Sequence, residues 1–360
     1  MSTGVEWLAG LSPWPRDGFG LDRMRALLRA LEDPQARFPA VHVVGTNGKS
    51  TATRTIESML GREGLLVGAT VSPHVRRWSE RITVGGAELD VDAAVERVRP
   101  HAERLDATQF ETITAAALQS FADREVDVAV VEAGLGGRLD ATNVLRTRVV
   151  LLTNVGLDHT DVLGPTVADI AREKLAVAHV DSVVVLPDDR FAGLVPGRRC
   201  VLGGAVAAAE AFVGRPLAPP PPIELPGRLE RRDGEIRDGA HNADGVRWLA
   251  ARLPTADYTI CASILRDKDV DTMLDVLAGV GSRFVATTSA NARALSADEL
   301  ADRARPRFAH VEAQPIPSAA LGRAHALGGP VLVTGSLYLL AELEAVERRD
   351  ADAAGREHAR

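Results

Sequence analysis

The chain has 360 residues, 46% hydrophobic and 25% charged, an ordinary balance for a globular protein but long for one core, so two domains are expected. A net charge of −7, with no basic run rich in aromatics, disfavours electrostatically driven nucleic-acid binding. No apolar run approaches the ~20 residues that span a bilayer, and MSTGVEWLAGL lacks the basic region and apolar core of a signal peptide. The two cysteines, Cys200 and Cys261, give neither a disulfide framework nor metal spacing, and their apolar surroundings predict buried thiols. Together these features predict a cytoplasmic protein that binds neither nucleic acid nor membrane. No long amphipathic seam demands assembly, so a monomer is expected.

In chain order, residues 1–40 read as a helical lead-in, with Leu21, Met24, Leu27, Leu28 and Leu31 at helical spacing and Pro34 and Pro39 closing the run. Residues 41–44 are a buried strand that enters a glycine-bracketed turn, GTNGKST, from which a helix starts at once. Strand, turn, Lys-Ser and helix together make a polyphosphate cradle, although Gly45 and Gly48 have two residues between them where the general P-loop has four. A plain strand-turn-helix is the alternative. A second strand (65–71), a hairpin around Gly85-Gly86, helices over 91–105 and 112–124, strands over 126–134 and 149–156, a helix over 166–178 and a strand over 182–187 follow. Strands alternating with helices predict a mostly parallel sheet covered on both faces. Residues 175–225 are expected to hold one strand pair and the helix Ala205–Val213. The proline run at 219–222 marks a break, so residues 1–222 are expected to form a first domain, a P-loop-type mostly parallel sheet. A smaller Rossmann-like α/β domain occupies 223–350, with helices at 243–253, 270–279, 296–304 and 336–347 and strands at 258–263, 283–288 and 331–335. Residues 351–360 read as a solvated tail.

Ligands of open parallel sheets bind at the carboxyl ends of the strands. Those ends carry the phosphate turn, Ser72-Pro73-His74, Glu132 with Gly134–Asp140, and Leu157-Asp158-His159. Glu132 closes an apolar strand, where an unpaired carboxylate would cost several kcal/mol that a Mg²⁺ held with Ser50 or Ser72 would remove. Capping the glycine turn, or pairing with Arg138, would remove it equally. Lys174, beside Arg172 and Glu173 on a helix, reads from spacing alone as an exposed lysine. Asp238–Asn242 opens the second domain either as a nucleotide-facing loop or as an N-cap.

The strings VHVVGTNGKSTATRTIESML, SPHVRRWSERI, TQFETITAAAL, VVEAGLGGRLDATNV, LDHTDVLGPTVADIAREK, LPGRLE, DGAHN, ILRDKD and VTGSLYLL span both domains. In this order the chain resembles the folylpolyglutamate synthase/dihydrofolate synthase family of the Mur ligase superfamily. The resemblance implies ATP held by Gly45, Thr46, Asn47, Gly48, Lys49, Ser50 and Thr51, with Lys49 on the γ-phosphate, and by Arg228, Asp238 and His241. It implies Mg²⁺ at two sites, held by Ser50, Ser72, Glu132, His159 and Lys174, the last as a carbamate, with Lys49, Lys174 and His159 catalytic. Arg23, Phe110, Glu111, Leu139, Asp140 and Ala141 fall in stretches near a pterin. The implied reaction couples ATP hydrolysis, through an acyl phosphate, to joining L-glutamate and a folate-type acceptor. The chain departs from the pattern in a shortened 175–225 segment, in Ala243 where proline is common, and in Ser263 where glycine is frequent. A ligase of the same scaffold acting on another carboxylate is the second reading. A non-catalytic nucleotide binder is disfavoured by the retained Lys49, Glu132, His159 and Lys174, and a simple kinase would have no use for the second domain.

Overall fold

Val41 to Val44 carries β-branched residues at three of four positions, and as Ala40–Val44 (β1) it forms a strand buried at every residue, near the middle of an eight-stranded sheet. The computed structural model describes residues 3–15 and 18–358, with side chains to residue 349. The chain divides into two units, Met1–Ile223 and Glu224–Arg360.

The first unit adds Val67–Thr70 (β2), Ile82–Val84 (β3), Ala87–Glu88 (β4), Val128–Glu132 (β5), Thr147–Leu152 (β6), Val183–Leu186 (β7) and Arg199–Leu202 (β8), in the order β4-β3-β2-β5-β1-β6-β7-β8. All pairings are parallel except those of β3 with β2 and β4. On one face Val41, Val43, Val128 and Val130 pack with Ile56, Met59 and Leu60 of the helix Lys49–Arg62 and with Ala208, Ala209 and Phe212 of Ala205–Val213. On the other, Ala40, Ala129 and Val131 meet the helices Asp22–Ala30 and Gln109–Asp123.

The second unit holds Glu230–Arg232 (β9), Glu235–Arg237 (β10), Thr259–Ala262 (β11), Arg283–Ala286 (β12), His310–Ala313 (β13) and Val331–Thr334 (β14), ordered β13-β12-β11-β14-β10-β9. Only β9, against β10, runs antiparallel. Its core gathers Ile260, Phe284 and Leu332 of the sheet with Leu249, Met273, Leu274 and Leu300 of the helices.

Several expectations change. The helix expected from residue 112 starts at Gln109, because Thr108 and Glu111 cap it reciprocally. The last helix runs Leu337–His358 rather than stopping at 347, so residues 351–358 of the expected tail are helical; Ala, Glu and Arg are strong helix formers. The tail's last two residues lie outside the described ones. β13 and the helix Pro317–Ala326 carry too little apolar alternation to be seen in sequence. Cys200 is exposed because β8 is the edge strand of its sheet, whereas Cys261, on β11, is buried and its thiol is pushed up to about 12 by that burial. Among the described residues no helix is long and apolar enough to cross a membrane.

Candidate active site

β1 ends against a turn that only glycine can make. Gly45 has φ +152°, and a Cβ there would drive into Thr153 Oγ1. The turn is laced to the loop after β6. Thr46 N–H donates to Asn154 O at 3.0 Å, Asn47 N–H to Asn154 Oδ1 at 2.8 Å, and Thr153 Oγ1 to Asn47 O at 2.7 Å. The amides of Thr46 and Asn47 are thus engaged within the protein. Gly48 caps the helix Lys49–Arg62 with φ +78°, and the first-turn amides of Lys49, Ser50 and Thr51 have no intrahelical acceptor, leaving a positive helix end for an anion.

Two lysines converge on one carbonyl. Lys49 Nζ donates to Gly45 O and Thr46 O, each at 3.2 Å, and Lys174 Nζ donates to Gly45 O at 2.9 Å. Lys174 is 4% exposed, which overturns the exposed-lysine reading: the helix Val167–Leu175 carries it on the face with Ile170 and Ala171. Burial, and then the charge of Lys49, lower its pKa to about 7.

Glu132, 4% exposed at the end of β5, accepts from Ser50 Oγ at 3.1 Å and from Ser72 N–H at 3.0 Å. The Arg138 alternative does not hold, since Arg138 pairs with Glu173 at 3.1 Å. His159 stands in the left-handed region at φ +51°, a strained position for a non-glycine residue, with its N–H on Asp158 Oδ1 at 3.0 Å. Ser50 and Glu132 supply the hard oxygen donors that suit Mg²⁺. Among the described residues no group of three or more His, Cys, Asp and Glu is placed to hold a metal ion.

Next to this end, Arg23 Nε pairs with Glu111 Oε2 at 2.8 Å, joining two helix N-termini. The Phe110 ring fills the space beside Gly134, where a Cβ would come within 2.7 Å of it. Leu139 is 44% exposed and Ala141 is buried. Asp140 is buried, and its oxygens serve the turn itself: Oδ2 accepts from Leu135 N–H at 2.7 Å, and Oδ1 from Thr142 N–H at 3.0 Å and from the Thr142 hydroxyl. Burial pushes its pKa up, opposed by those hydrogen bonds.

In the second unit Asp238, after β10, accepts from Leu229 N–H and Ala240 N–H, both at 2.8 Å, and Gly239 N–H donates to Gly227 O at 2.9 Å. The stretches around Arg228 and His241 are thereby drawn together. Burial raises the Asp238 pKa, against the opposing charge of Arg228. Asn242 caps the next helix through Gly245 N–H, so the N-cap reading holds, and of this loop only His241 is partly exposed. Asn154 and Thr142 escaped the sequence reading; for Asn154 a polar residue after a strand end was the only signal.

The family model described as the Mur ligase middle domain matches residues 43–193. The chain is 30% identical over 390 residues to the dihydrofolate synthase/folylpolyglutamate synthase of Mycobacterium tuberculosis, a match that covers 82% of this chain and 80% of that protein. It superposes on Escherichia coli FolC in complex with DHPP and ADP with a TM-score of 0.86 and 26% identity, over 97% of this chain and 99% of that one. A bifunctional folylpolyglutamate synthase/dihydrofolate synthase with Mn, AMPPNP and L-glutamate bound gives a TM-score of 0.83 and 27% identity, over 97% and 98% of the two chains. The chain belongs to the folylpolyglutamate synthase/dihydrofolate synthase family.

Proposed function

We propose that this chain joins L-glutamate to a folate-type carboxylate, dihydropteroate or a folate, at the expense of ATP. The observation that carries this reading is the placement of Lys49 Nζ on Gly45 O and Thr46 O beside a helix N-terminus that has no side-chain cap. That arrangement concentrates positive charge where a polyphosphate would lie. The acceptor carboxylate attacks the γ-phosphorus, the bond to ADP breaks, and an acyl phosphate forms. The glutamate amine then attacks the acyl carbon, loses a proton and expels phosphate. Lys49 stabilises the charge developing on the phosphoryl oxygens.

In this reading the amides of Lys49, Ser50 and Thr51, rather than those of Thr46 and Asn47, face the phosphates. Thr46 and Asn47 hold the turn in shape, and Arg228, Asp238 and His241 are nucleotide residues of the second unit. Ser50, Ser72, Glu132 and His159 would hold Mg²⁺, which neutralises phosphoryl charge when bound. Lys174 Nζ, with a pKa near 7, is partly unprotonated at neutral pH and able to add to CO₂, forming an N–C bond and losing a proton to give an anionic carbamate for a second metal. Arg23, Phe110, Glu111, Leu139 and Ala141 line the acceptor end, and Asp140 acts through the turn it holds. The protein is assigned to the cytoplasm as a monomer.

The test is incubation with ATP, Mg²⁺, L-glutamate and dihydropteroate or a folate. The expected result is one phosphate released per conjugate formed. Turnover only with an unrelated carboxylate would replace the acceptor, and acceptor phosphorylation without conjugate would replace the reaction. Intact-mass analysis with and without bicarbonate tests the carbamate: an active protein carrying only free lysine would remove it.

A further inference from the structure

His42 is 1% exposed on β1 and, by strand alternation, shares a face with Ala40, which packs among Ile113, Ala116 and Ala117. Its Nε2 lies 2.8 Å from Thr142 Oγ1, and Thr142 Oγ1 donates to Asp140 Oδ1. A hydroxyl has one proton, and here Asp140 takes it. With its proton on that side, Thr142 Oγ1 accepts from the ring, and His42 is then the Nε2–H tautomer. Burial, reinforced by the nearby His179, holds the ring neutral, with its pKa lowered to about 3. The same Asp140 carboxyl group takes the amides of Leu135 and Thr142, so one buried side chain closes the turn from 134 to 142.

The geometry points to His42 and Thr142 as positioning residues for the acceptor: the relay from His42 Nε2–H through Thr142 Oγ1–H to Asp140 Oδ1 sets the turn bearing Leu139 and Ala141 without touching substrate. This rests on the acceptor reading given above. The relay starts on β1, the strand that also delivers the phosphate turn, so one strand positions both ends of the site through opposite features, its terminus and a buried side chain.

Three variants test it: His42→Gln, which keeps an N–H donor at similar reach; His42→Leu, which fills the space without one; and Thr142→Val, which keeps shape and removes the hydroxyl. Loss of a buried hydrogen bond should raise the acceptor KM roughly tenfold in His42→Leu and Thr142→Val, with the ATP KM within about twofold of wild type and His42→Gln within about threefold for both. Equal impairment of the Gln and Leu variants, or parallel rises of both KM values, would overturn the relay in favour of plain packing. Should His42→Leu fail to fold, Thr142→Val against His42→Gln decides. A wild-type protein that ligates no folate-type carboxylate would remove the function reading alone. Amide exchange at Leu135 and Thr142 then decides: faster exchange in Thr142→Val with His42→Gln unchanged supports the relay, and equal rates in all three proteins refute it.

Discussion

Two loops built on the same plan, strand then polar turn then helix, end up as opposite surfaces. After β1 the turn is shaped from outside, by Asn154 and Thr153 of the next loop, and the start of the following helix has no side-chain cap. After β10 the turn is shaped from inside, by Asp238, whose carboxylate consumes the amides of Leu229 and Ala240. The first loop can offer backbone donors and Lys49 to an anion; the second offers side chains such as Arg228 and His241. A strand-turn-helix motif therefore becomes a phosphate cradle only where something other than the turn's own carboxylate fixes it.

The largest expected effect falls on the first loop. Lys49→Ala should lower turnover by roughly 10²-fold or more, through lost stabilisation of transition-state charge. A near-normal kcat in steady-state assays would break the contrast at once.

The strands beneath the two loops differ in the same sense. Arg237 on β10 is buried against Glu235 at 2.7 Å and Glu344 at 3.3 Å, and its pKa is raised, so it keeps its charge. His42 on β1 is held neutral, its pKa about 3 against an ordinary 6.5. Between those values the unfolded chain binds a proton that the folded chain does not, so stability present above pH 6.5 drains away as pH falls toward 3. Wild type should lose melting temperature relative to His42→Gln over that interval, and parallel pH profiles for the two proteins would contradict the buried neutral ring.

Asp238→Ala should destabilise the second unit by about 2 kcal/mol, because a buried and a part-buried amide lose their acceptor. An unfolding transition with an unchanged midpoint would show that the loop holds itself. The smallest effect belongs to Asn154→Ala, which frees one amide of the phosphate turn at a cost of about 1 kcal/mol, read as a roughly fivefold rise in the ATP KM. An unchanged ATP KM with a lowered melting temperature would reduce Asn154 to a scaffold residue.

The same contrast explains what the sequence revealed. β1, β5 and β6 are near-continuous apolar runs, and their ends could be named because ligands gather at the carboxyl ends of parallel strands. Lys174 was misjudged from spacing, because its burial comes from the fold around Ile170 and Ala171 rather than from its charged sequence neighbours. The sequence also could not show that the Thr46 and Asn47 amides are already engaged, since Asn154 lies more than a hundred residues further along the chain. Nor could it show that the oxygens of Asp140 also close their own turn. β13 and Cys200 were missed for one reason: edge strands carry weak alternation and leave a face to solvent.

The central claim is that ATP activates the acceptor by phosphorylating its carboxylate. Ligation of an acceptor labelled with ¹⁸O in that carboxylate tests this most directly. An acyl phosphate requires one labelled oxygen to appear in the released phosphate for each conjugate formed. Conjugate formed alongside unlabelled phosphate would contradict the account.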